Sequence, residues 1–149
     1  MEQKSAFESF ELEVSEDIRG YLNETAKWTY FLSILGFIGI GFMVLGGIGV
    51  SLYTGMNQLG GADAYGLGYS AGVGIVYIIL ALVYLFPVLY LFKFSNKMKQ
   101  ALKLKNNEAF KMAFLNLKSH YKYMGIFTIV IFSLYILVII GVATGAALF

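Results

Sequence analysis

Apolar and polar positions along this chain separate into long blocks rather than alternating. Asp, Glu, Lys and Arg are absent from Trp28 to Ala62, from Ala64 to Phe92 and from Tyr123 to Phe149, runs of 35, 29 and 27 residues. A bilayer core of about 30 Å is crossed by about 20 apolar residues. Each run is long enough for a transmembrane helix, and a water-soluble single domain is excluded. Aromatic rings settle at headgroup level and mark the limits. Trp28 and Tyr30 open the first span and Tyr53 closes it; Tyr65 and Tyr69 precede the second, and Tyr90, Phe92 and Phe94 end it; Tyr121 and Tyr123 open the third. The reading is an all-α membrane protein with three transmembrane helices, at 28–53, 70–94 and 122–147.

The polar blocks carry patterns of their own. In the connection 95–121, Met98, Leu102, Phe110, Phe114, Leu117 and Tyr121 recur at helical spacing, with lysines on the other faces. That predicts cytoplasmic amphipathic helix between the second and third spans, started by Ser95 or Asn96, either as one helix or as two with the break at Asn106-Asn107. In the N-terminal segment 1–27, Ile18, Tyr21, Leu22, Thr25 and Leu32 share a stripe behind a Ser15 cap, predicting a short amphipathic helix. Ahead of it Phe10, Leu12 and Val14 alternate with Glu11 and Glu13. The chain offers that stretch no partner strand, so 1–14 is read as flexible or ordered by another molecule. Residues 54–69 read as a glycine-rich outer loop.

Charge gives the orientation. The net charge of 1–27 is −4 and that of 93–122 is +7, with Asp63 alone between the first two runs. Lys and Arg counts near the membrane ends decide topology. There are three in the N-terminal segment, eight in the inner connection, and none in the outer loop or after the third span. The N-terminus and 95–121 are therefore expected in the cytoplasm and the C-terminus outside. No basic leader with a cleavage site precedes the first span, which is read as an uncleaved insertion signal. The acidic and basic segments share a side, so the N-terminal helix is expected to pack on the 95–120 helix.

Composition narrows the chemistry. The 149 residues are 58% hydrophobic and 13% charged, against about 25% charged in a soluble domain. With no cysteine, a disulfide scaffold and a Cys-ligated metal site are excluded. The charge-free runs also lack histidine; proton relays, voltage sensors and ion-coupled carriers normally rely on ionisable groups there. No Ser-His-Asp set, paired intramembrane carboxylates or HExxH motif is present, so no catalytic residue, metal or cofactor is expected. His120, the sole histidine, has no second ligand at metal spacing and reads as juxtamembrane surface, and Asp63 beside Gly60-Gly61 reads as a turn residue.

Small residues are the richest feature inside the spans. Gly47, Ser51 and Gly55 repeat every four residues, as do Gly66, Ser70 and Gly74, and Gly141 and Gly145 close the third span. In lipid such residues let helix backbones approach, within the chain or between subunits. The 66–74 stretch looks like a nucleotide-binding glycine pattern but lacks its strand and its Lys-Ser/Thr. Pro87 predicts a kink near 83–87. The hydroxyls of Tyr77, Tyr84 and Tyr135 are expected to reach Ser133, Thr128 or a carbonyl on another helix. Lys97, Lys99, Lys103, Lys105, Lys111, Lys118 and Lys122 are candidates for anionic lipid headgroups or an acidic partner. Nothing points to nucleic acid.

Three groups of residues resemble a known family. They are Tyr21-Leu22-x2-Thr25-Ala26-Lys27-Trp28 running into Gly36-Phe37-Ile38, Phe86-Pro87-x2-Tyr90-Leu91-x2-Phe94, and Asn116-Leu117-Lys118-x2-Tyr121-x3-Gly125. Together they are similar to a bacterial family of small multi-pass membrane proteins known only as a domain of unknown function. The resemblance implies a bacterial inner (cytoplasmic) membrane origin and carries no activity or catalytic residue. The expected function is non-enzymatic: an accessory or scaffold subunit whose spans and inner helices bind other membrane proteins or a second copy. A small homo-oligomeric channel or carrier is the alternative.

Overall fold

Helix hydrogen bonding is local, and it continues until a turn or capping residue stops it; the second helix runs on through Pro87. The computed structural model describes residues 15–58 and 64–147, except the side chains at 57–58, 64–71 and 145–147. In it α1 runs Glu16–Gln58, α2 Ala64–Leu104 and α3 Asn107–Ala147, with 43, 41 and 41 residues. At 1.5 Å per residue each helix is about 60 Å long, twice a bilayer core. The boundaries expected near 27, 53, 69, 94 and 121 are therefore not breaks in structure. Each apolar run continues into its polar neighbour as one helix, and most of the expected outer loop 54–69 is helical. All three helices are long and apolar enough to cross a membrane. The 1–14 segment and Asp63, with the readings attached to them, lie outside the described residues.

Caps define the ends. At α1 the Ile18 amide donates to Ser15 Oγ at 3.5 Å and the Arg19 amide to Ser15 O at 3.0 Å, with Glu16 and Asp17 in the first turn, where acidic groups suit the helix dipole. Ser95 and Asn96 cap nothing. They sit within α2, where Asn96 Nδ2 donates to Phe92 O at 3.1 Å. The α2–α3 break instead uses Lys105 in the left-handed region, φ 50°. The Asn106 amide returns to Ala101 O at 3.1 Å, and Asn106 Oδ1 accepts from the Ala109 amide at 2.9 Å to cap α3. A residue in that conformation just past a helix end is usually glycine. Lys105→Gly should therefore raise stability by about 1 kcal/mol, read as a shift in the denaturation midpoint; no shift would show the turn unstrained.

The chain is a row with α2 in the middle. Both α1 and α3 pack on α2, and they make no close backbone approach to each other among the described residues. The apolar core sits at the basic end, where α1 and α3 begin and α2 stops. Ala26, Phe94, Met98 and Ala113 are buried there, with Leu22, Leu102, Phe110 and Leu117 packed around them. The stripes at the basic end therefore cover one another as a small three-helix bundle. The stripe expected on α1 is rotated from the one observed: Leu22 faces the core, while Tyr21 and Leu32 are exposed. The N-terminal part of α1 does pack on the end of α2, through apolar contacts and Arg19 rather than opposite charges. Arg19–Glu16, three residues apart on α1, is the one ion pair among the described residues.

Candidate functional site

Four features of the bundle bear on what it can do, and each begins with side-chain size or a missing donor.

The first is the α1–α2 seam. On α1, Ala26, Ser33, Ile40 and Gly47 follow at seven-residue intervals, as do Gly74, Ala81, Val88 and Ser95 on α2, all buried or half-buried. Seven residues is the repeat of a left-handed helix pair, and small side chains let the two backbones close. A Cβ at Gly47 would meet Tyr77 Cβ at 2.8 Å and Gly74 O at 3.3 Å; one at Gly36 would meet the Val88 methyls at 2.8 and 2.9 Å; one at Gly74 would fall on Ser51 and 3.2 Å from Gly47 O. Of the predicted packing residues, the structure brings together Gly47, Ser51 and Gly74. Gly55 and Gly141 face open space, and Gly66, Ser70 and Gly145 lie where side chains are not described. The four-residue spacing found part of the seam. The heptad, which adds Ala26, Ser33, Ala81 and Ser95, was present in the sequence but masked by the surrounding glycines. Ser95 Oγ is buried there without a hydrogen-bond partner.

The second is the proline. Pro87 has no N–H, so the carbonyl of Val83, four residues before it, loses its helical donor. The Tyr123 hydroxyl from α3 donates to that carbonyl at 3.0 Å, and His120 Nδ1 lies 2.8 Å from Pro87 O. Phe86 and Tyr123, and Tyr84 and Phe127, complete the contact as ring pairs at 6.1 and 6.0 Å. His120 is half-buried and bonded rather than a surface residue. Among the described residues the hydroxyls of Tyr77, Tyr84 and Tyr135 do not meet their expected partners: Ser133 bonds Ile129 O in its own helix, and a cross-helix hydroxyl bond is made by Tyr123 instead. Tyr123→Phe should cost about 1–2 kcal/mol by leaving the Val83 carbonyl unpaired. In a Pro87→Ala background, where residue 87 regains its N–H, the same change should cost much less. A double-mutant cycle reads the difference, and additive effects would remove the proposed pairing.

The third is the basic end. Arg19, half-buried, donates from one terminal nitrogen to Leu102 O at 3.1 Å and from the other to Glu16 at 3.3 Å. Leu102 O lies in the last turn of α2, the negative end of its dipole, where a cation is favoured. Two adjoining clefts share Arg19 and Leu102. One, of about 410 Å³, is lined also by Glu16, Asn23, Lys99 and Lys103. The other, of about 390 Å³, is lined also by Lys105, Asn106, Asn107 and Phe110. Lys99 Nζ stands 4.0 Å over the Tyr30 ring, and Lys97 reaches Gln100 at 3.5 Å. None of the predicted lysines pairs with a described carboxylate. Lys99, Lys103 and Lys105 are brought together around the clefts; Lys97, Lys111, Lys118 and Lys122 line neither. Arg19 was missed as a site residue because an N-terminal segment of net charge −4 obscured its single arginine.

The fourth is a stagger. Through the His120–Pro87 bond, α3 near Lys122 is level with Pro87, and Gly36 of α1 touches Val88. Lys27 lies nine residues and Lys93 six residues further toward the basic end, about 13 and 9 Å at 1.5 Å per residue. The three charge-free runs do not end in one plane. Beyond Phe127, α3 leaves its neighbours: residues 129–144 are exposed apart from half-buried Ile131. Their hydroxyls fold inward, with Thr144 bonding Ile140 O at 2.8 Å.

A family model described as a family of unknown function, DUF5362, matches residues 53–143. The match covers the second and third groups of residues singled out above and lies beyond the first. No curated protein and no solved structure matches the chain.

Proposed function

The chain belongs to the DUF5362 family, of unknown function, and from that premise we propose that it is a non-enzymatic integral membrane protein acting as an accessory or scaffold subunit of a membrane complex. The proposed setting is a bacterial inner membrane, with the N-terminus and the basic end in the cytoplasm and the C-terminus outside. The observation that carries this reading is the free half of α3. Its residues 129–144 are apolar and almost wholly uncovered, while α1 and α2 close on each other through glycine. In lipid a helix gains nothing by hiding apolar surface alone; packing against another helix supplies the attraction. A partner helix is the structure that would order this one. The basic end adds a second surface, with eight lysines of the 93–122 segment facing the inner leaflet's anionic headgroups or an acidic partner. Lys118 and Lys122 would snorkel from their higher level.

Purification in mild detergent followed by native mass determination tests the reading. A defined hetero-complex, lost when Ile136 and Ile140 on the free half are changed to alanine, is the expected result. A closed symmetric homo-oligomer with solute flux in liposomes would replace it by the channel or carrier alternative. Recovery as a lone monomer would remove both.

A further inference from the structure

We propose that the two clefts around Arg19 form one binding site for a phosphate-bearing anion. The site does not depend on the scaffold reading. Four cations, Arg19, Lys99, Lys103 and Lys105, line the joined clefts, and Glu16 is the one carboxylate among their lining residues. That surplus suits a multiply charged ligand rather than a single carboxylate. Arg19 supplies a planar fork, and its Leu102 and Glu16 bonds fix the guanidinium while leaving donors over. Asn106 and Asn107 bring the start of α3 to the wall of the second cleft, where its dipole offsets the opposite dipole that ends at Leu102. Lys105, at φ 50° in the α2–α3 turn, lines the second cleft.

Geometry also bears on the source of the phosphate. Arg19 is nine residues from Trp28, about 13 Å along α1, and Trp side chains favour headgroup level. Lys99, whose Nζ stands over Tyr30 at the edge of the first span, reaches headgroup level, while Lys103 near the end of α2 and Lys105 just past it lie further away from that level. A soluble phosphate ester, or a headgroup carrying further phosphates outward, fits.

The full-length protein in phosphatidylcholine nanodiscs is titrated calorimetrically with inorganic pyrophosphate. A second arm uses the same nanodiscs doped with phosphatidylinositol bisphosphate, with retained lipid counted by native mass spectrometry. Each arm compares the parent with Lys103→Gln/Lys105→Gln and with Lys111→Gln/Lys118→Gln, which removes equal charge away from the clefts. Lys103 and Lys105 are exposed, and matching thermal unfolding confirms that both variants fold. Saturable binding that the cleft pair weakens about tenfold, and the remote pair several-fold less in each arm, is expected. Binding in the first arm identifies a soluble source and in the second alone a headgroup. No saturable binding in either arm, or equal weakening by both pairs, overturns the site.

Discussion

Gly74→Leu should destabilise the helix pair by about 3 kcal/mol, the upper range for overpacking. A Cβ there falls on Ser51 and 3.2 Å from the Gly47 carbonyl. That carbonyl is backbone, so relief requires α1 and α2 to move apart along the whole seam. The neighbouring Gly72 is the control, because a Cβ there meets nothing within 4 Å. Gly72→Leu should stay within about 0.5 kcal/mol of the parent. Reversible unfolding of the three proteins in one detergent, followed by helicity, gives both values. Equal effects at 72 and 74 would mean that α1 and α2 do not close through this stripe.

Phe94→Ala should have the largest effect at the other end, about 3–5 kcal/mol. Phe94 is 1% exposed, packs against Met98, Ala26 and Ala113, and meets Phe114 edge-on at 6.5 Å. Its removal leaves a cavity where all three helices share one core. Phe132, 65% exposed on the free half of α3, provides the comparison. Truncating it removes few contacts within the chain, so Phe132→Ala should cost under about 1 kcal/mol in the same assay. If the two costs are alike, the basic end is not the cooperative core. The contrast also separates the two stabilising forces: at the basic end apolar burial, and along the proposed spans close packing.

Several elements were legible because their cause is local. Lysine-free apolar runs, Pro87, the Ser15 cap and the Asn106-Asn107 pair each announce themselves within a few residues. The stripe of Met98, Leu102, Phe110 and Leu117 at the basic end was visible for the same reason, since helical periodicity needs only one helix. What covers it was not visible, and the expectation of separate surface helices differed from the continuous bundle observed. The site was harder still. Lys105 and Lys103 were two of many lysines until Arg19, more than eighty positions earlier in sequence, was brought beside Leu102. Tyr123 was one aromatic at a membrane boundary until α3 placed its hydroxyl on the carbonyl that Pro87 had orphaned.

By itself the sequence determined that this protein is built from three long apolar helices and which end carries the positive charge, and it offered Asn106-Asn107 as a place for a turn without deciding that one forms. Those properties follow from solvation of side chains and from backbone capping, both decided residue by residue. Only the tertiary structure decided that α2 is the central helix, that Gly47 rather than Gly55 lies in the seam, and that the charge boundaries are staggered. It alone left half of α3 uncovered. Register and rotation between helices depend on how pairs of surfaces fit, and in a chain this rich in glycine many pairings satisfy the same pattern. The shape of the side chains on facing helices selects one.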